Sequence, residues 1–182
     1  IKKIGHAGTL DPKAEGILPI ALNKTTKLIP FISTELKQYN FKIKWGEQTS
    51  TDDSEGKIIN YCNKIPNDDE INKTIDSFLG EINQIPPKAS AIKVSGKRAY
   101  AVLRENTNFS LKPKKVFLKS ISFLGSNNNT SDFLIECGKG FYVRSLARDL
   151  AHKLETFGHV VELKRVKVGN FNIKTSILLD DL

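Results

Sequence analysis

The chain has 182 residues, of which 39% are hydrophobic and 26% charged, enough to bury one ordinary core without disulfides or metals. No apolar run is long enough to span a bilayer, and no basic segment followed by an apolar stretch marks a signal peptide. The two cysteines, Cys62 and Cys137, and the three histidines lack ligand-like spacing, which argues against a disulfide framework or a metal site. A cytoplasmic setting is the expectation.

The pattern of elements is read in chain order. Residues 17–22 (ILPIAL) form an apolar run and are expected to be a buried strand. Residues 24–33 read as a short helix with Leu28, Ile29 and Ile32 on one face. Residues 39–45 alternate, placing Tyr39, Phe41, Ile43 and Trp45 on one face of a half-buried strand. Residues 68–79 open with three acids and carry Ile71, Ile75, Phe78 and Leu79 at helical spacing, with Gly80 as the stop. Residues 114–124 alternate again, with Val116, Leu118, Ser120 and Ser122 opposite Phe117, Lys119, Ile121 and Phe123. After a strand at 133–137, Val143, Leu146, Ala147, Leu150, Ala151 and Leu154 give the clearest amphipathic helix. Residues 159–168 read as a last strand. Strands and helices do not alternate regularly, so the fold expected is α+β with a mixed, mostly antiparallel sheet and flanking helices.

The net charge of +8 is unevenly spread. Residues 88–119 hold nine Lys and Arg against Glu105 alone, whereas residues 52–81 hold eight acids against three lysines. A segregated basic surface favours a polyanion, most commonly nucleic acid. The plainer alternative is a solvated, lysine-rich face.

The segment with most chemical content is Gly5–Ile20, GHAGTLDPKAEGILPI. Gly5 and Gly8 allow a tight turn and close approach of a ligand. Pro12 pushes Asp11 away from helical backbone, so its carboxylate projects from a stiffened loop. Asp-Pro is also an ordinary turn dipeptide. Asp52, Asp53 and Glu55 before Gly56 lack the full ligand spacing of a calcium loop and are read as a turn.

GHAGTLDPKAEGILPIALNKTTKL resembles the signature of the TruB family of tRNA pseudouridine synthases. Further blocks follow in the family's order: Lys37–Tyr39, Thr49–Gly56 (TSTDDSEG), Phe78–Gly96 (FLGEINQIPPKASAIKVSG), Cys137–Arg148 (CGKGFYVRSLAR) and Leu163–Phe171 (LKRVKVGNF). The resemblance implies the pseudouridine synthase fold and isomerisation of uridine in the T-loop of tRNA. It makes Asp11 the carboxylate that starts cleavage of the N1–C1′ bond, by attack on C1′ or through a glycal. Tyr39 would pack on the flipped uracil, Tyr142 would stand near it, and Arg144 would pair with Asp11. His6 would fill the gap left as the RNA loop rearranges, and Leu163 would line the pocket. No cofactor and no obligate protein partner are implied. Residues 1–182 would be a single catalytic domain. The family's segment before GHxGT and its small C-terminal RNA-binding domain are expected to be missing from this sequence. Residues 106–110 depart from the family's usual run.

Spacing alone would make Tyr39 a core residue, Arg144 a solvated side chain on the polar face of its helix, and His6 an idle loop histidine. Two rival functions stand beside the resemblance. One is a non-catalytic RNA-binding module, suggested by Lys139–Val143 (KGFYV), which is like the start of an RNP1 strand. The other is a hydrolase acting on a glycosidic bond, which would need a second carboxylate; Glu15 is the nearest.

Overall fold

The computed structural model describes residues 1–94, 96–104, 109–178 and 181. The elements are β1 (Ile4–His6), β2 (Glu15–Gly16), β3 (Ile20–Leu22), α1 (Ile29–Thr34), β4 (Lys37–Trp45), β5 (Glu47–Thr49) and β6 (Ile58–Tyr61). They continue as α2 (Asp68–Ile75), β7 (Gly80–Gln84), β8 (Lys93–Val94), β9 (Lys97–Arg98), α3 (Ala99–Arg104), β10 (Lys114–Asn127) and β11 (Thr130–Cys137). The chain ends with α4 (Val143–Lys153), β12 (Gly158–Val168) and β13 (Phe171–Asn172).

The central sheet runs in the order β13-β12-β4-β11-β10-β7, with every neighbour antiparallel. The short β2 adds to β12 in parallel, which makes the sheet mixed. This is the α+β architecture that the irregular order of elements suggests. The alternation in β4 buries Phe41, Ile43 and Trp45, and that in β11 buries Phe133, Ile135 and Cys137 on the same face. Phe133 stacks on Phe41 at 5.3 Å and meets the edge of Trp45 at 6.4 Å. The Trp45 indole N–H donates to Ser131 at 2.7 Å, satisfying the one polar atom that this ring brings inside.

Helices α2 and α4 cover that face. Asn67 caps α2 by accepting from the Glu70 N–H, and the Glu70 carboxylate accepts from the Asn67 N–H, a reciprocal capping box. Ile71 and Ile75 then point into the core. Helix α4 contributes Leu146, Ala147, Leu150 and Ala151, all fully buried. Gly158 opens β12 where a side chain would press on Ala151, Ile43 and Trp45 together, so helix and sheet come close there.

Three readings of the pattern need correction. Of residues 17–22 only 20–22 form a strand; β3 pairs with β1 outside the main sheet, and Ile20 and Leu22 are exposed. Residues 23–34 are helical, beginning as a 3-10 turn, but Leu28 faces solvent. In β10 the register slips between Leu118 and Ser120. That bulge moves Ile121 onto the same buried side as Leu118, a change of face that a strict two-residue period misses. Among the described residues no helix is long and apolar enough to cross a membrane.

Candidate active site

The loop carrying Asp11 leaves β1, runs out and returns to β2. Its tip is a turn: the Ala14 N–H donates to the Asp11 carbonyl at 2.9 Å, with Pro12 at the second position, where its fixed φ suits the turn. At the base of the loop the Ala7 N–H donates to the Pro19 carbonyl at 3.1 Å. Gly16 then takes φ +104 and lies so close to β12 that an added Cβ would sit 2.1 Å from the Arg165 carbonyl oxygen. The Ile17 N–H donates to that same oxygen at 2.8 Å. Thus Asp11 is held on a loop pinned to the sheet edge, and its side chain is about one-third exposed at 34%.

Facing it is Arg144, in the first turn of α4. The start of that helix is fixed by Gln84, a buried side chain at the end of β7. Gln84 accepts from the Tyr142 N–H at 2.8 Å and donates to the Tyr142 carbonyl at 3.0 Å, imitating a strand neighbour. Arg144 is almost completely buried. Its Nη2 donates to Asp11 Oδ1 at 2.7 Å, its Nη1 pairs with Asp53 Oδ2 at 3.1 Å, and both reach the Ala89 carbonyl at 3.3 Å. Two carboxylates and backbone carbonyls together compensate a buried guanidinium that would otherwise be costly.

Asp53 comes from the turn after β5. Its Oδ1 accepts from the Thr51 hydroxyl at 2.5 Å and the Glu55 N–H at 3.0 Å, so the turn itself aims Oδ2 at Arg144. The neighbouring Asp52 adopts φ +60, and its carbonyl accepts from the Val160 N–H on β12 at 3.1 Å. The Asp52 carboxylate pairs with Arg148, one turn further along α4, at 2.9 Å, and Arg148 also donates to the Ile85 carbonyl at 2.7 Å. Burial pushes the Asp52 carboxyl above its ordinary value, while Arg148 draws it back. Two adjacent aspartates therefore grip two arginines on one helix.

The resulting cleft is lined by Asp11, Lys13, Asp53, Arg144, Val160 and Leu163, among others. Its cavity volume is about 20 Å³, room for about one water molecule. A broader polar groove of about 640 Å³ adjoins it, sharing Lys13, Ser54, Val161 and Leu163 and adding Asn40, Glu15 and Lys164.

The residues singled out in the sequence converge unequally. Asp11, Arg144 and Leu163 meet in the cleft. Tyr39 is half-buried on the helix-covered face of β4, opposite Ile135 on one side and Arg165 on the other. Burial pushes its phenol up to about 12. Tyr142 immediately precedes α4 with its phenol raised by burial, and it stands outside the residues that line the cleft. His6 is exposed at the end of β1, across from Ile20, and does not line the cleft either. Arg144 is not the solvated side chain that helical spacing alone would make it. Asp53, Gln84, Arg148 and Arg165 carry the site's support and were not singled out, although all four fall in the blocks quoted above. The turn at residues 52–56 is indeed a turn, but one whose second aspartate belongs to the site. Among the described residues no group of His, Cys, Asp and Glu is arranged to hold a metal ion.

Known proteins resemble this chain in both sequence and fold. Residues 1–143 match the model of the TruB family pseudouridylate synthase N-terminal domain, and residues 144–182 match the tRNA pseudouridylate synthase B C-terminal domain. The tRNA pseudouridine synthase B of Wolbachia pipientis subsp. Culex pipiens (strain wPip) is 49% identical over 184 residues, covering all of this chain and 52% of that protein. That of Ehrlichia ruminantium (strain Gardel) is 50% identical over 185 residues, covering all of this chain and 62% of that protein. The chain thus spans between half and two thirds of the length of these relatives. Among solved structures, a chain of a Cbf5-Nop10-Gar1 complex superposes with a TM-score of 0.76 at 28% identity, over all of this chain and 45% of that one. An ion-paired aspartate on a pinned loop, the ordered sequence blocks and the family models over the whole length place this chain in the TruB family of pseudouridylate synthases.

Proposed function

We propose that the protein isomerises uridine to pseudouridine at position 55 in the T-loop of tRNA, with Asp11 as the catalytic carboxylate. The N1–C1′ bond breaks and a C5–C1′ bond forms; N1 gains a proton and C5 loses one, so no atom enters or leaves the nucleoside overall. The observation that carries the reading is the 2.7 Å pair between Asp11 and the buried Arg144 in a chain of this family. A carboxylate held by a buried cation is poised either to attack C1′ and later leave, or to relay a proton in a glycal route.

The size of the cleft bears on the chemistry. The cleft of about 20 Å³ opens into the broader polar groove through Lys13, Ser54, Val161 and Leu163, so a base reaches Asp11 from that side. Excluding water protects the detached base and ribose from hydrolysis. The base must also leave its stack, at a cost of a few kcal/mol. Tyr39 is suited to offset this by packing on the ring, with Leu163 at the wall of the pocket. Tyr142 and His6 are assigned to contacts with the RNA around the flipped nucleotide. The basic stretch at residues 88–119 supplies counter-charge for the tRNA backbone. Work on tRNA fits a cytoplasmic enzyme that acts without an obligate protein partner.

The rival readings have less support. Residues 139–142 are a turn and coil that lead directly into α4, not a strand, so the likeness to RNP1 ends there. For a hydrolase, Asp53 is a second carboxylate closer to Asp11's partner than Glu15, but its oxygens are occupied by Arg144, Thr51 and Glu55. It is an anchor for Arg144, with little left to activate a water.

The test is tritium release from C5-labelled uridine in a T-stem-loop RNA. Release with formation of pseudouridine supports the proposal. Free uracil would instead reveal a hydrolase, and binding without release would reveal an RNA-binding module.

A further inference from the structure

Arg165 is a fully buried guanidinium in the middle of β12, 1% exposed. No carboxylate pairs with it among the described residues. Its Nε donates to the Ile17 carbonyl at 2.7 Å and its Nη2 to the Gly8 carbonyl at 3.0 Å. Gly8 lies near the start of the loop that carries Asp11, and Ile17 directly follows β2, where that loop returns. The Arg165 backbone holds the same loop a third time, through its carbonyl and the Ile17 N–H at 2.8 Å. Gly16 pairs with Arg165 in register, and its lack of a side chain lets the loop lie directly against the Arg165 backbone.

A buried charge with no counter-charge is an expensive way to fill space; a leucine or methionine would pack at less cost. A guanidinium offers something those side chains lack, namely several N–H donors in a rigid planar fork. The fork reaches two carbonyls nine positions apart in the chain and fixes the distance between them. A lysine, with one compact ammonium on a flexible stem, could hold one of them but not set their spacing. Arg165 also lies opposite Tyr39 across the β4–β12 pair. One side chain thus links Gly8 and Ile17, on either side of Asp11, to the strand position that carries Tyr39.

We propose that Arg165 is a positioning residue for the reaction: it clamps Gly8 to Ile17 and so fixes where the Asp11 carboxylate stands relative to Arg144 and the base. The inference rests on the isomerase reading for its catalytic consequence, but the clamp itself is measurable without it. A carboxylate displaced by about an ångström loses on the order of 10²-fold in rate. RNA contacts made elsewhere on the surface would be untouched.

The experiment compares the full-length parent with Arg165→Lys and Arg165→Met in two assays. Hydrogen exchange is read on peptides covering residues 8–17 and, separately, on β4 and β11. Single-turnover tritium release and RNA affinity are measured on the same preparations. The clamp predicts faster exchange in residues 8–17 with β4 and β11 unchanged. It also predicts a turnover loss of roughly 10²-fold in Met, a smaller loss in Lys, and RNA affinity within about threefold of the parent. Unchanged exchange in the loop, or full turnover in Met, overturns it. If Met unfolds, Lys decides: unchanged loop exchange with full turnover in that variant also overturns the clamp. A parent that is inactive while the loop still loosens in the variants would refute the isomerase reading and leave the clamp standing.

Discussion

Arg144 and Asp11 meet at 2.7 Å across a junction between two distant parts of the chain, the arginine buried and the aspartate one-third exposed. Asp53 holds the same guanidinium through Nη1, and all three side chains line the cleft. Changing Asp11 to Asn keeps the shape and removes the charge. Turnover should fall to background, because an amide can neither attack C1′ as a nucleophile nor accept a proton in its place. RNA affinity should stay within about twofold, since one buried-edge carboxylate adds little to binding that is dominated by phosphate contacts. Filter binding and tritium release on the same preparation check both parts.

Asp53 acts on Asp11 only through Arg144. Asp53→Asn should therefore lower turnover strongly with little change in RNA affinity. Arg144→Met should do more, because it leaves Asp53 buried without its cation; breaking such a pair costs about 3–5 kcal/mol. Urea unfolding of the two variants measures the difference, with Arg144→Met the less stable.

Tyr39 lies where the sheet's covered face meets the site. Tyr39→Leu should reduce turnover far more than RNA affinity, because it removes a stacking surface worth about 1–3 kcal/mol per base but keeps an apolar side chain in the strand. Equal losses in both would mark a purely structural role.

Stability should fall at alkaline pH. Burial raises the Cys137 thiol from an ordinary 9.0 to about 12 and the Tyr39 phenol from 10.0 to about 12. Above pH 9 the unfolded chain releases these protons while the folded chain keeps them, so rising pH favours unfolding. The stabilisation is intact below pH 9 and is lost progressively as pH climbs toward 12. Denaturant midpoints measured from about pH 8 to about pH 11 should decline, and Cys137→Ala should flatten the early part of that decline.

Gly16→Ala tests the close approach of the loop to β12. A Cβ there would stand 2.1 Å from a backbone oxygen, at a φ of +104 that side chains avoid. The strand pair must separate, at a cost of at least about 1–3 kcal/mol, and Asp11 moves with it. Gly80→Ala, at φ +86 with open space around it, should cost only the backbone strain and leave turnover intact.

The sequence by itself determined much of this protein. The two-residue period of β4 and the three-and-four spacing of α4 specify which faces are buried, since burial follows periodicity directly. The resemblance carried by the motif blocks implies Asp11, His6, Tyr39, Tyr142, Arg144 and Leu163 as one set, and of these Asp11, Arg144 and Leu163 line the cleft together. What only the tertiary structure decided are the partnerships. Arg144 reads as a solvated residue on the polar side of its helix, and it is buried because the Asp11 loop and the turn at Asp53 close over it. Asp53 reads as a turn residue because its use depends on an arginine 91 positions away. The fork of Arg165 between Gly8 and Ile17 has no signature in the pattern at all. Local sequence encodes which face a side chain takes; whether a charge on that face meets water or another charge depends on which distant segment packs against it.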